Sequence, residues 1–143
     1  MVLDKVEDEE SLYRRIGQEY YKILPDGSIR ISSSAFGDRE FQISVNRAKF
    51  YSDAPITMCV HVSDGIAMLQ AFQVYSIQIT RNDEKGRPFQ EYLVEITPAP
   101  LEDNPSHAHI HTDPVEKRVF NKLSEKLAHI ANDNGWTCKP VIQ

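Results

Sequence analysis

The sequence from residue 91 to residue 97 is Glu-Tyr-Leu-Val-Glu-Ile-Thr. Three of its apolar residues, Tyr92, Val94 and Ile96, stand two apart, as in a strand with one face on a core. Residues 74–80 show the same alternation, and a polar loop joins the two segments. We therefore expect an antiparallel pair of strands here.

The clearest helix signal follows further along the chain. Asp113 precedes Pro114, and Glu116 stands three residues after Asp113, which is the order of an N-cap, a first helical residue and a capping box. Gly135 is placed to end the helix. One apolar stripe with helical spacing runs between these limits: Val115, Val119, Leu123, Leu127 and Ile130.

Weaker patterns supply the rest of the fold. Residues 20–24 and 28–32 flank a Pro-Asp-Gly turn and predict a hairpin. Segments 41–45 and 56–62 predict short strands, and 66–72 favours a helix because it is rich in helix formers. The chain is thus expected to be an α+β protein, a mostly antiparallel sheet with one long C-terminal amphipathic helix packed on it.

Length and composition indicate one domain. The chain has 143 residues, enough for a single core without disulfides. Five of the first ten residues are acidic, so residues 1–10 are expected to form a flexible tail and residues 11–143 the domain. The acidic N-terminus does not resemble a signal peptide and no apolar run is long enough to span a bilayer, so a cytoplasmic location without membrane association is expected.

Charge and cysteine usage exclude several classes of protein. The net charge is −5, from 16 basic and 21 acidic residues, and the basic residues are scattered, which argues against general nucleic-acid binding. This charge balance does not exclude a nucleotide ligand. Cys59 and Cys138 form no closely spaced pair, so neither a disulfide framework nor a cysteine-rich zinc site is indicated.

Three histidines at positions 107, 109 and 111 are the main candidate for chemistry. In an extended segment all three side chains project from one face. His107, His109 and His111 could converge on a divalent metal, or act as acid, base or nucleophile without one. Asp113 could orient an imidazole, and Glu91 or Glu95 could add oxygen ligands if their strand is adjacent. The alternative is a solvated polar face of an ordinary strand.

The segment His107 to His111 resembles the core of the histidine-triad nucleotide hydrolase motif, in which histidines alternate with apolar residues. The resemblance implies that His109 is the nucleophile that attacks a nucleotide α-phosphate, with His107 and His111 as its flanking partners. Thr112 and Asp113 occupy the two positions where that family has apolar residues.

A second resemblance concerns three separated segments. Leu-Tyr-Arg-Arg at 12–15, Ser-Ser-Ser-Ala-Phe at 32–36 and the segment 91–95 are similar in order to elements of NAD-dependent ADP-ribosyltransferases. This implies that Arg14 holds a pyrophosphate, that Ser33 braces the site, and that Glu91 or Glu95 polarises a ribose.

The chain as a whole resembles short bacterial proteins with a Leu-Tyr-Arg-Arg-Ile, Ser-Ser-Ala-Phe and Pro-Ser-His-Ala arrangement, which implies no particular activity. No complete catalytic set is evident, so the leading hypothesis is a small accessory or binding module with a protein or small-ligand partner. The alternatives are a histidine-dependent hydrolase of nucleotides or phosphoesters, with or without a metal, and an ADP-ribosyltransferase-like enzyme.

Overall fold

A seven-stranded antiparallel sheet and one long helix dominate the computed structural model, which describes residues 4–82 and 84–142. The predicted α+β class, with a mostly antiparallel sheet and a long C-terminal helix, is confirmed. The strands are β1 (Ser11–Ile16), β2 (Tyr21–Ile23), β3 (Ile29–Ile31), β4 (Ile43–Arg47), β5 (Gly65–Gln70), β6 (Ile79–Asn82), β7 (Pro88–Pro98), β8 (His107–Asp113) and β9 (Trp136–Cys138), and the helices are α1 (Ala71–Tyr75) and α2 (Lys117–Asn134).

The sheet has the strand order β6-β7-β8-β4-β1-β5-β9, and β2 and β3 form a separate hairpin. Alternation along β8 buries Ala108 and Ile110 on the face that packs against α2, where Leu123 and Leu127 are fully buried. We call the opposite face, to which the three histidines of β8 belong, the polar face. By strand alternation, the side chains of this face point away from α2.

Several predicted elements are confirmed. The hairpin turns at Gly27, whose φ of 87° suits glycine. The strand predicted at 41–45 is β4, shifted two residues along the chain. β7 pairs with β6 as expected, although β6 begins only at Ile79 because α1 occupies the first part of the segment 74–80.

The start of the long helix differs from the prediction. Asp113 is the last residue of β8 and is not an N-cap, and α2 begins at Lys117. The carboxylate of Glu116 accepts hydrogen bonds from Tyr92 and Arg81 instead of closing a capping box. Val115 therefore lies outside the helix and is exposed. The predicted end is confirmed, since Gly135 follows the helix with a φ of 78°.

The helix predicted at 66–72 is wrong for residues 66–70, although Ala71 and Phe72 begin α1. Residues 65–70 form β5, which pairs with β1 on one side and β9 on the other. Ile66, Ala67 and Leu69 are buried there, so two-sided pairing and burial outweigh the weak helix propensity of these residues.

The strand predicted at 56–62 is also wrong. Pro55–Met58 form a 3-10 turn, and Ile56, Val60 and Val62 are exposed. Proline at the start cannot donate to a ladder, and apolar content alone does not supply a neighbouring strand. Cys59, in the same segment, is partly exposed.

The acidic N-terminal segment packs on the sheet in part. Val6 is fully buried and Glu10 forms an ion pair at 2.8 Å with Arg47 of β4. This partner is distant in sequence, so the acidic composition of residues 1–10, predicted as a flexible tail, gave no sign of it. Within the described part of the chain, no helix is long and apolar enough to cross a membrane.

Two asparagines near the end of α2 connect it to the strands. The Asn132 side chain accepts from the N–H of Ile31 and donates to its carbonyl, at 2.8 and 3.0 Å. The Asn134 amide donates to the carbonyl of Met68 in β5 at 2.9 Å. The helix thus holds the hairpin and the main sheet through backbone-like hydrogen bonds.

Candidate functional site

A cleft opens on the polar face where β1 and β4 separate. The two strands pair only at Leu12 with Arg47 and at Tyr13 with Asn46. Beyond these pairs, the side chain of Arg14 enters the gap and donates to the carbonyl of Ser44 in β4 at 2.6 Å. The guanidinium replaces the missing strand pairing, because it satisfies a carbonyl that β1 leaves free.

The Arg14 guanidinium is held mainly by main-chain carbonyls. Besides Ser44, it donates to Ala35 at 2.7 Å and to Gly37 at 3.5 Å, both in the segment that follows β3. The guanidinium also lies over the aromatic ring of Phe36, with its carbon 5.6 Å from the ring centroid. Burial lowers the pKa of Arg14 to about 10, so the group remains a cation at neutral pH although its hydration is reduced.

No carboxylate lies within ion-pair distance of Arg14 among residues 4–82 and 84–142. Arg47 shows the opposite arrangement, because both carboxylate oxygens of Glu10 accept from its guanidinium at 2.8 Å. The chain therefore neutralises Arg47 by direct contact, whereas Arg14 is hydrogen-bonded to carbonyls and has in Asp38 a more distant carboxylate that favours its charged form. A partly desolvated cation in a cleft attracts an anion.

The cleft has a volume of about 480 Å³, within the usual range for small-molecule sites. Tyr13 and Tyr20 contribute aromatic rings to its wall, and Arg15 adds a second guanidinium. Glu19 and Asp64 also line it. Both signs of charge are thus present around one cavity.

His107 connects the histidine row to this cleft, whose wall it lines. Its Nδ1 lies 2.8 Å from the carbonyl of Ala99 and its Nε2 lies 3.2 Å from the hydroxyl of Ser44. A carbonyl can only accept, so Nδ1 carries a proton and Nε2 of the neutral ring accepts from Ser44. Both nitrogens of His107 are therefore engaged, and the ring is fixed in position.

His111 is also fixed at both nitrogens. Nε2 lies 2.7 Å from the Thr97 hydroxyl and Nδ1 lies 2.9 Å from the carbonyl of Thr112. Glu95 of β7 is its cross-strand neighbour, so the two strands are adjacent. His111 thus belongs to the β7 side of the polar face, away from the cleft.

His109 lies between these two residues and differs from them. Within the described residues, neither of its ring nitrogens has a hydrogen-bond partner, and its ring meets that of His107 edge to face with the centroids 4.7 Å apart. Burial lowers the pKa of His109, and the neighbouring His107 and His111 lower it further. The ring is therefore neutral at pH 7 and keeps a lone pair available.

The geometry does not support the predicted metal site. Across the part of the chain that the structure describes, no group of three or more His, Cys, Asp or Glu side chains is arranged to hold a metal ion. His107 and His111 turn their nitrogens to protein partners, as described above. Asp113 is exposed at the end of β8, opposite Leu93, and makes no described hydrogen bond to an imidazole.

The three residues named by the ADP-ribosyltransferase resemblance are not brought together. Arg14 is on β1 and Glu91 on β7, with β4 and β8 between them, a separation of roughly 14 Å for three strand spacings. Glu91 is exposed, and Glu95 faces His111 instead of the cleft. Ser33 is exposed and lines a different cavity, beside Lys22 and Arg30.

Residues that complete the cleft were not indicated by the sequence. Ser44 joins Arg14 to His107, and Asp64 contributes a carboxylate from the turn before β5. Neither residue belongs to a recognisable motif. The available signal was the Arg-Arg pair within an otherwise alternating strand, since a charged residue at a core-facing position needs partners.

No protein-family model, curated protein or solved structure matches the chain. The site therefore has to be interpreted from its own chemistry.

Proposed function

We propose that this protein is a binding module that takes a small anionic ligand in the cleft between β1 and β4. The observation that carries the proposal is the Arg14 guanidinium, which is partly buried and positively charged and makes its described hydrogen bonds to carbonyls, with Asp38 near enough to favour the cation but not within ion-pair distance. An anion would supply the missing counter-charge in a setting of reduced dielectric, where charge-assisted hydrogen bonds are strong.

The hydrogen-bond inventory leaves Arg14 with capacity for a ligand. A guanidinium has five N–H donors, and three hydrogen bonds to carbonyls are described. Two donors are left over, one on each terminal nitrogen, which suits a planar pair of anion oxygens. His107 and Ser44 lie at the same wall and add polar groups.

Titration calorimetry with inorganic phosphate, sulfate and a nucleoside monophosphate tests the proposal. We expect at least one of these anions to bind, and Arg14→Gln to weaken its affinity by about tenfold or more. Arg14→Lys keeps the positive charge but not the paired N–H donors of the guanidinium, so it should lose less affinity than Arg14→Gln. Thermal unfolding of both variants establishes that they are folded.

Arg30→Gln is the matched control, because it removes one arginine charge from an exposed position that lines a separate cavity. It should bind as the wild type does. The proposal fails if no anion of the panel binds, or if Arg14→Gln and Arg30→Gln have the same affinity.

A second candidate function is supported by His109. Its free, neutral imidazole between two fixed imidazoles suits a metal-free phosphoester hydrolase. In that reaction a ring nitrogen of His109 forms a bond to phosphorus as the bond to the leaving oxygen breaks, and water then releases the phosphoryl group.

Turnover of a nucleotide panel tests this second function. His109→Ala should abolish turnover, while His129→Ala, at an exposed position of α2, should leave it unchanged. Absence of turnover by the wild type, together with anion binding that needs Arg14, would support the binding module over the hydrolase.

A further inference from the structure

The cleft is asymmetric in charge. Arg14 reaches toward β4 on one side of β1, whereas Asp64 immediately precedes β5 on the other side. A neighbouring cavity shares Glu19, His61 and Asp64 with the cleft but is not lined by Arg14. The two carboxylates that line the cleft, Glu19 and Asp64, therefore lie toward the end that is farther from the Arg14 guanidinium.

The two carboxylates differ in what they can do. Asp64 is almost fully buried, and one of its oxygens accepts from the N–H groups of Val60 and His61 at 2.9 and 3.0 Å. The same oxygen lies 3.9 Å from a terminal nitrogen of Arg15, so Asp64 is committed to the turn before β5 and to Arg15. Glu19 is exposed, in the short turn that follows β1, so its oxygens are free to accept hydrogen bonds from a ligand.

From this arrangement we infer that the cleft takes a phosphate monoester whose phosphate sits at Arg14 and whose neutral, hydroxyl-bearing body extends toward Glu19. The inference rests on the proposed function and narrows its ligand class. Carboxylates accept hydrogen bonds from sugar or polyol hydroxyls, and the rings of Tyr13 and Tyr20 give such a body an apolar surface to lie against.

The same carboxylates disfavour other anions. Arg15 also lies at this end, but Asp64 faces it at 3.9 Å and offsets its charge, so Glu19 supplies the remaining charge. A second phosphate placed there would meet like charge, and like-charge contacts act against the wrong partner. Nucleoside triphosphates and polyanionic chains are therefore expected to bind less well than a monoester of similar size. The net charge of −5 acts in the same direction.

Calorimetry with inorganic phosphate, ribose 5-phosphate and a nucleoside triphosphate tests the inference. For the wild type we expect ribose 5-phosphate to bind about tenfold more tightly than inorganic phosphate, through its hydroxyls. Glu19→Gln should reduce this advantage and improve triphosphate binding, while leaving the affinity for inorganic phosphate unchanged. Glu102→Gln, at an exposed position that does not line the cleft, should alter none of the three.

The possible results distinguish failure of this inference from failure of the proposed anion site. If inorganic phosphate binds in an Arg14-dependent manner but ribose 5-phosphate binds no better, the ligand class is wrong and the anion site stands. The same conclusion follows if Glu19→Gln leaves every affinity unchanged. If none of the phosphates binds, the anion site itself is refuted.

Discussion

Arg14 and Arg47, two arginines of the sheet, differ in how their positive charges are compensated. Arg47 is almost completely buried and its charge is neutralised by Glu10. Burial by itself would raise the pKa of Glu10, but hydrogen bonds from Arg47 and from the N–H of Glu7 lower it below the usual value. This carboxylate is therefore ionised in the folded protein over the whole neutral range.

Glu10→Gln should destabilise the protein by about 3–5 kcal/mol, because it leaves the Arg47 charge buried without a counterion. The free energy of unfolding in urea measures the effect. Glu9→Gln, at an exposed neighbouring position, removes the same charge and should change stability by less than about 0.5 kcal/mol. Equal effects of the two substitutions would contradict the role given to the buried pair.

His109 makes stability depend on pH. Its pKa is lowered in the folded state by burial and by its two histidine neighbours, so the unfolded chain binds a proton at this position more readily. Stability is full above the unfolded pKa of about 6.5 and falls as the pH drops through the lower folded value.

Chemical unfolding at a series of pH values between about 7 and 5 measures this loss. His109→Gln should flatten the decline, since it removes the group that is protonated preferentially in the unfolded chain. His129→Gln, at an exposed site on α2, is the control and should keep the wild-type slope. An unchanged slope in His109→Gln would show that the decline has another origin.

At the scale of elements, β5 and β9 pack closely at Gly65. A Cβ placed on this residue would overlap the ring of Trp136 and lie 2.8 Å from Pro140. Gly65→Ala should therefore cost about 1–3 kcal/mol through displacement of β9, measured by thermal or urea unfolding.

Gly17→Ala is the comparison for this prediction, because a Cβ there meets only the flexible end of the Glu19 side chain. Its effect should be small. In the double variant with Trp136→Ala, the loss caused by Gly65→Ala should shrink, since the clashing ring is removed. Full additivity of the two losses would count against the contact as the cause.

The same elements explain which parts of the fold could be predicted. Residues 91–97 and 107–111 carry a period of two in their own side chains, so local sequence was sufficient. Residues 66–69 are apolar on both faces, and whether they form a strand depends on β1 and β9, which lie far away in sequence. Local propensity does not contain that information.

For the molecule as a whole, Asn132 couples the small hairpin to the rest of the fold. Asn132→Ala removes both hydrogen bonds to Ile31 and should cost about 1–3 kcal/mol. Amide hydrogen exchange at Ile31 should accelerate more than exchange in the central strands of the sheet, because the hairpin loses its attachment to α2.

Asp133→Ala tests whether this effect belongs to the amide, because Asp133 is the next residue on the helix and its side chain is largely exposed. It should leave exchange at Ile31 unchanged. If both substitutions accelerate exchange equally, fraying of the helix end is the better explanation.

The candidate site depends on the whole molecule and could be predicted only in part. The shared face of His107, His109 and His111 follows from strand alternation. The cleft does not, because it arises where β1 and β4 diverge and where turns from residues 17–20 and 61–64 meet. The divergence of these strands and the meeting of these turns are tertiary features that leave no local sequence pattern. The sequence therefore did not indicate Ser44, Glu19 or Asp64 as site residues.

The position of α2 in the chain has a consequence for biosynthesis. When the chain has left the ribosome as far as Asp113, six strands of the main sheet are available to pair, but the helix that covers their apolar side has yet to emerge. A nascent chain at that stage exposes apolar surface, which chaperones bind and which promotes aggregation. Slow codons placed after residue 113 would prolong this exposure, whereas rapid translation through residue 134 would shorten it.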